Sequence, residues 1–136
     1  MKIDVLWDNE EHTILRRVYY APYTLKDYHQ AIDRGNAMIA SVAHKVDILV
    51  ELRNYNPTHP PGMLSKMLKY ADKNRLPNEG VMIFIMPKEF HRQVNFAIIT
   101  RISNKPASEY FHVETLEEAY ALLHSIRTLS TLASTQ

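Results

Sequence analysis

Six consecutive apolar residues, Val81-Met82-Ile83-Phe84-Ile85-Met86, lie between Gly80 and Pro87. A strand with water on one face alternates apolar and polar side chains. This run has no polar side, so both of its faces must be covered. That requirement selects a layered α/β domain and makes Val81–Met86 the candidate for the sheet centre. The run is far shorter than the roughly 20 residues of a membrane-spanning helix, so no membrane partner is expected. A chain of 136 residues, 46% hydrophobic, buries roughly two-thirds of its unfolded surface and supports one core.

The rest of the chain supplies elements to surround that strand. Ile3–Trp7 alternates, Asp8–His12 is a polar turn, and Thr13–Tyr20 is rich in β-branched and aromatic residues, which predicts an antiparallel hairpin. Thr24 and Asp27 suit a helix N-terminus, and Leu25, Tyr28, Ile32, Ile39 and Val42 form its apolar stripe. Gly35 falls on that stripe, where it costs up to about 1 kcal/mol against Ala, so close packing is expected there. Val46–Leu52 reads as a third strand, and Met63, Leu64, Met67, Leu68 and Ala71 stripe a second helix after Gly62. Lys88 to Ile102 is expected as a third helix, striped by Phe90, Val94, Ala97, Ile98 and Ile102 and widened by Phe96 and Ile99. Tyr110–Val113 is a short strand. Thr115-Leu116-Glu117-Glu118 is a capping box for a fourth helix carrying Leu116, Ala119, Leu122, Leu123 and Ile126. The expected order is a β-hairpin followed by αβαβαβα: a mixed five-stranded sheet with four helices, with strands after the hairpin largely parallel.

Small counts exclude common chemistries. There is no cysteine, which removes disulfide scaffolds, thiolate metal sites and cysteine nucleophiles. Three scattered glycines, Gly35, Gly62 and Gly80, form neither a Walker loop nor a GxGxxG turn. The histidines at 12, 29, 44, 59, 91, 112 and 124 include no i, i+4 pair, and no GxSxG elbow occurs. No metal, cofactor or catalytic residue is therefore assigned. Sixteen basic against fifteen acidic residues leave a formal charge of +1. Lys66, Lys69 and Lys73 share one helix face, but no aromatic stacking motif accompanies them, so they read as a solvated surface and no nucleic-acid partner is expected. The amino terminus carries acidic residues where a signal peptide needs an apolar run, which favours a cytoplasmic protein.

Position singles out one segment. The loop after the third strand lies at the carboxyl end of a sheet strand and before a helix N-terminus, where open α/β sheets tend to bind ligands. Arg53, Asn54, Tyr55, Asn56, Thr58 and His59 crowd polar groups there and form the candidate ligand-binding set. The same residues also serve turn geometry in a plain surface loop. A hydrolase or transferase, the third reading, would require an acid–base pair such as Glu51 with His59 to meet in a cleft.

The hairpin ending WDNEEHTILRRVYY, the helix TLKDYHQAIDRGNAMI, the strand VDILVELRNYN, the segment PPGMLSKMLKYA and the closing TLEEAYALLHS together resemble a SpoIIAA-like domain, the fold shared with STAS domains and anti-sigma-factor antagonists. The resemblance covers residues 1–127 as a single domain and leaves 128–136 as a Ser/Thr-rich tail expected to fray. It is nearest to a bacterial subgroup lacking the phosphorylated serine. Family members place Asp-Ser-Ser/Thr-Gly at the start of the second helix, whereas His59, Pro60 and Pro61 precede Gly62 here. Proline has no acceptor hydroxyl, so the phosphoswitch is not expected. The resemblance implies a non-enzymatic interaction or regulatory module that binds a protein partner, and the apolar Phe96 and Ile99 point to a homodimer. The alternative is a small-molecule or lipid-binding protein with a pocket near residues 53–65, lined by Tyr55, Met63 and Met67.

Overall fold

The computed structural model describes residues 2–20, 22–53, 62–88 and 110–134. Its strands are β1 (Ile3–Trp7), β2 (Ile14–Tyr20), β3 (Val46–Arg53), β4 (Glu79–Ile85) and β5 (Tyr110–Val113). The helices are α1 (Leu25–Ala40), α2 (Met63–Lys73) and α3 (Leu116–Ser134). The five strands form one sheet in the order β1-β2-β3-β4-β5. β1 runs antiparallel to β2, and the remaining neighbours are parallel.

Two expectations are corrected. The sheet is mixed and five-stranded, but the described residues contain three helices, not four. The fourth rested on periodicity over Lys88–Ile102, which apart from Lys88 lies outside the described residues. Periodicity is a weak warrant there, because its apolar positions spread over two faces and five of its residues are β-branched. The middle of the sheet belongs to β3, with β4 one place outward. β4 is still interior, and every residue from Gly80 to Met86 is buried.

Alternation along the strands builds two cores. Leu15, Tyr19, Ile48, Val50, Met82 and Phe84 face α1 and α2, meeting Tyr28, Ile32, Ile39, Met63 and Met67. Ile14, Leu49, Val81, Ile83 and Ile85 face α3, meeting Ala119 and Leu123. Helix α1 starts at a capping box: the Asp27 N–H donates to Thr24 Oγ1 at 3.0 Å and the Thr24 N–H to Asp27 Oδ2 at 2.9 Å. α1 then rests on β1 and β2 at Gly35, where an added Cβ would lie 3.1 Å from Leu15 and 3.6 Å from Val5. Its far end is held by Asn78, whose Nδ2 donates to the carbonyls of Ile39, Val42 and His44.

Helix α3 begins at the expected Thr115–Glu118 box, with the Glu118 N–H donating to Thr115 Oγ1 at 3.1 Å. It runs on to Ser134, so the segment read as a fraying tail is helical through that residue. The hydroxyls of Thr128 and Thr131 donate to the carbonyls four residues back, at 2.9 Å each, so both side chains are satisfied within the helix. No helix of the described residues is long and apolar enough to cross a membrane.

At the amino edge of the sheet one carboxylate joins four elements. The register of β3 against β4 shifts between Val46 and Ile48, where Glu79 to Met82 oppose one residue fewer. Asp47 repairs the ladder: its Oδ1 accepts the Val81 N–H at 2.9 Å. Its Oδ2 accepts from Arg127 Nε at 3.1 Å and Nη2 at 2.9 Å. Arg127 Nη2 also donates to the Thr13 carbonyl, just ahead of β2, at 3.0 Å. Gly80 is required beside this carboxylate, because a Cβ there would lie 2.0 Å from Asp47 Oδ1.

Gly80→Ala is therefore expected to destabilise the fold by about 3 kcal/mol, from overpacking together with the displaced hydrogen bond. Gly35→Ala, whose nearest neighbour is a side-chain methyl and whose helix propensity improves, is expected to stay within about 1 kcal/mol of the parent. Urea unfolding of both variants checks the contrast.

Candidate functional site

The carboxyl edge of the sheet holds a cleft of about 530 Å³. It lies where the ends of β3 and β4 meet the turn from β5 into α3. Leu52, Ile85, Met86, Pro87 and Leu116 supply apolar wall, while Arg16, Glu51, Arg53, Glu114 and Thr115 supply polar groups. Helices α2 and α3 cover opposite faces of the sheet, and the cleft lies at the carboxyl ends of parallel strands, the side on which open α/β sheets usually bind ligands.

Along the floor runs a chain of polar contacts set by strand alternation. Arg16 on β2 and Glu51 on β3 point to the α3 side, the same face as Leu49. Arg16 Nη2 donates to Glu51 Oε1 at 2.7 Å, and Arg53 Nε binds Glu51 Oε2. Arg16 Nη1 lies 3.7 Å from Asp8 Oδ1. The Tyr120 hydroxyl of α3 donates to both Asp8 oxygens, at 2.8 and 2.7 Å. At the other end Arg53 Nη1 donates to the Tyr20 hydroxyl at 3.1 Å and lies over the Tyr20 ring. Two carboxylates and two guanidinium groups thus alternate from α3 across β2 to β3 and cancel in charge.

These contacts decide the protonation states. Burial alone would raise the Glu51 carboxyl, but hydrogen bonds from Arg16 and Arg53, and then their charges, hold it below the ordinary glutamate range. Burial, followed by the Asp8 carboxylate that its hydroxyl faces, pushes Tyr120 up to about 12. Glu51 is therefore an ionised carboxylate with both oxygens occupied. His59, its partner in an acid–base pair, lies outside the described residues.

Of the loop residues named from position, Arg53 is in the cleft, and its side chain keeps 48% of its surface exposed. Asn54, Tyr55, Asn56, Thr58 and His59 lie outside the described residues, as does Tyr55 in its role as a pocket liner. Met63 and Met67 do not line the cleft; both are buried in the core beneath α2. The described histidines are scattered: His12 stacks on Trp7, His29 on Tyr70 and His112 on Phe84. Among the described residues no group of three His, Asp or Glu side chains could hold a metal ion. Lys66, Lys69 and Lys73 are exposed on α2, away from the cleft lining. Arg16 is the cleft-lining basic residue that loop position did not reveal, and Asp8, Tyr20 and Tyr120 extend its polar contacts beyond the cleft. A sequence clue existed in Arg16 and Glu51, charged residues inside otherwise apolar strands.

Glu51→Gln leaves two guanidinium groups facing a neutral amide and is expected to cost about 2 kcal/mol at neutral pH, less than a fully buried pair because Arg53 is half exposed. A carboxyl depressed on folding adds stability above its unfolded value and loses it as pH falls through the folded value. The gap between parent and variant is accordingly full near neutrality and narrows as the pH drops below about 4.5. Chemical denaturation of both proteins across that range measures it.

Compared with protein-family models, with curated proteins and with solved structures, the chain matches none.

Proposed function

We propose that this chain is a non-enzymatic interaction or regulatory domain of the SpoIIAA-like kind, acting as a homodimer and engaging a protein partner at the carboxyl-edge cleft. The observation that carries the reading is the closed state of the cleft floor. Asp8, Arg16, Glu51 and Arg53 spend their charges on one another, which makes the floor an ordered surface for docking. Strand order supports the family reading: an antiparallel hairpin, then each later strand added in sequence to one edge. Gly62 opens α2 with φ of 82°, a conformation that suits glycine. Self-association is supported by Leu129 and Leu132, 66% and 55% exposed on a part of α3 that carries no charge.

A second reading, a small-molecule or lipid ligand in the same cleft, is favoured by its volume, which falls within the roughly 300–1,000 Å³ of small-molecule sites.

A photo-crosslinking amino acid at Glu114 separates these readings. A saturable protein adduct that Leu116→Glu weakens at least tenfold, with the fold intact by circular dichroism, is the expected result. A small bound mass in native spectrometry with no protein adduct favours the second reading, and neither result rejects both. Light scattering at micromolar concentration checks the oligomer: twice the chain mass is expected, and a strict monomer removes the homodimer.

A further inference from the structure

Arg17 is a cation placed inside the apolar core. It lies mid-strand on β2, opposite Val5 on β1 and Val50 on β3, and points to the face covered by α1 and α2. Only 4% of its surface is exposed. Its guanidinium lies 6.0 Å from the Tyr19 ring centre, and Nη2 lies 3.9 Å from Met82 Sδ, a weak acceptor. The Tyr28 hydroxyl and the Glu79 carboxylate lie near enough to act electrostatically on it. Its Nε–H is buried and meets no acceptor. A buried donor left unmatched is costly, because it has given up its hydrogen bond to water.

Beside the side chain is a cavity of about 10 Å³ whose polar walls are Arg17, Asn36 and Glu79. Leu15, Ile32 and Ala71 are among the apolar residues that close it. This volume is near the lower limit for one water molecule, and water enters such spaces when two to four polar partners line them. A dry cavity would be lined by hydrocarbon alone.

We propose that this cavity is a binding site for a single water molecule, which accepts the Arg17 Nε–H and donates to the Glu79 carboxylate, with Asn36 as its third polar neighbour. The water carries charge compensation from β2 across to β4 beneath α1 and α2. It lets an arginine sit in the core without direct contact with its counter-charge. The site is separate from the cleft and independent of what the cleft binds.

Water–amide magnetisation transfer on ¹⁵N-labelled protein tests the site at the amides of Gly35 and Ile48, which line the cavity. Cross-peaks from a long-lived water are expected in the parent. They should persist in Tyr28→Phe, which removes the nearby hydroxyl, and vanish in Arg17→Met, which removes the donor. Ala71→Val fills the cavity without touching the charge and is expected to abolish the cross-peaks in a folded protein, so the test stands even if Arg17→Met fails to fold. Absence of the peaks in the parent, their loss in Tyr28→Phe, or their survival in either folded cavity variant overturns the proposal.

Discussion

The Asp47 carboxylate is the contact on which the architecture most depends. A parallel sheet covered on both faces must satisfy every backbone donor internally, and an irregular step in one strand leaves a donor unmatched. Asp47 takes the Val81 N–H at that step and uses its other oxygen to hold Arg127. Arg127 in turn grips the Thr13 carbonyl. One side chain therefore repairs the ladder between β3 and β4 and fixes α3 over the sheet. It also ties the amino end of β2 to both.

The opposite edge uses the same device for another end. There Glu51, four residues along the same face of β3, is held between Arg16 and Arg53, and Asp8 with Tyr120 extends the contacts to α3. The two carboxylates of β3 thus tie one helix to the sheet at two places, Asp47 directly at Arg127 and Glu51 through Arg16 and Asp8 at Tyr120. At the amino edge the arrangement is closed by Arg127. At the carboxyl edge it underlies an open cleft.

Much of this was legible in the residues. The polar-free run Val81–Met86 demanded an interior strand, and Thr24 with Asp27 and Thr115 with Glu118 marked two helix starts that the hydrogen bonds bear out. Gly35 announced a close approach, now seen against Leu15 and Val5. The ion pairs were not legible, because Arg16 meets Glu51 across 35 positions and Asp47 meets Arg127 across 80. Such meetings depend on strand register and helix placement. Their existence, though not their partners, could be read from VDILVELR, where Asp47 and Glu51 interrupt an apolar strand on one face. Helix extent at the carboxyl end was also hidden, because Thr128 and Thr131 gain backbone acceptors only once the helix is in place.

Sequential strand order has a consequence for how the chain assembles. Each strand of β1-β2-β3-β4-β5 pairs with the one made before it, so none has to be inserted between two that are already joined. The hairpin forms through local contacts with a short loop to close, and every later strand finds a completed edge waiting for it. On a ribosome, where amino-terminal segments emerge first, the sheet can grow in the direction of synthesis. The clasp from α3 to Asp47 and Thr13 then closes after the five strands have paired, because Arg127 follows all of them in the chain.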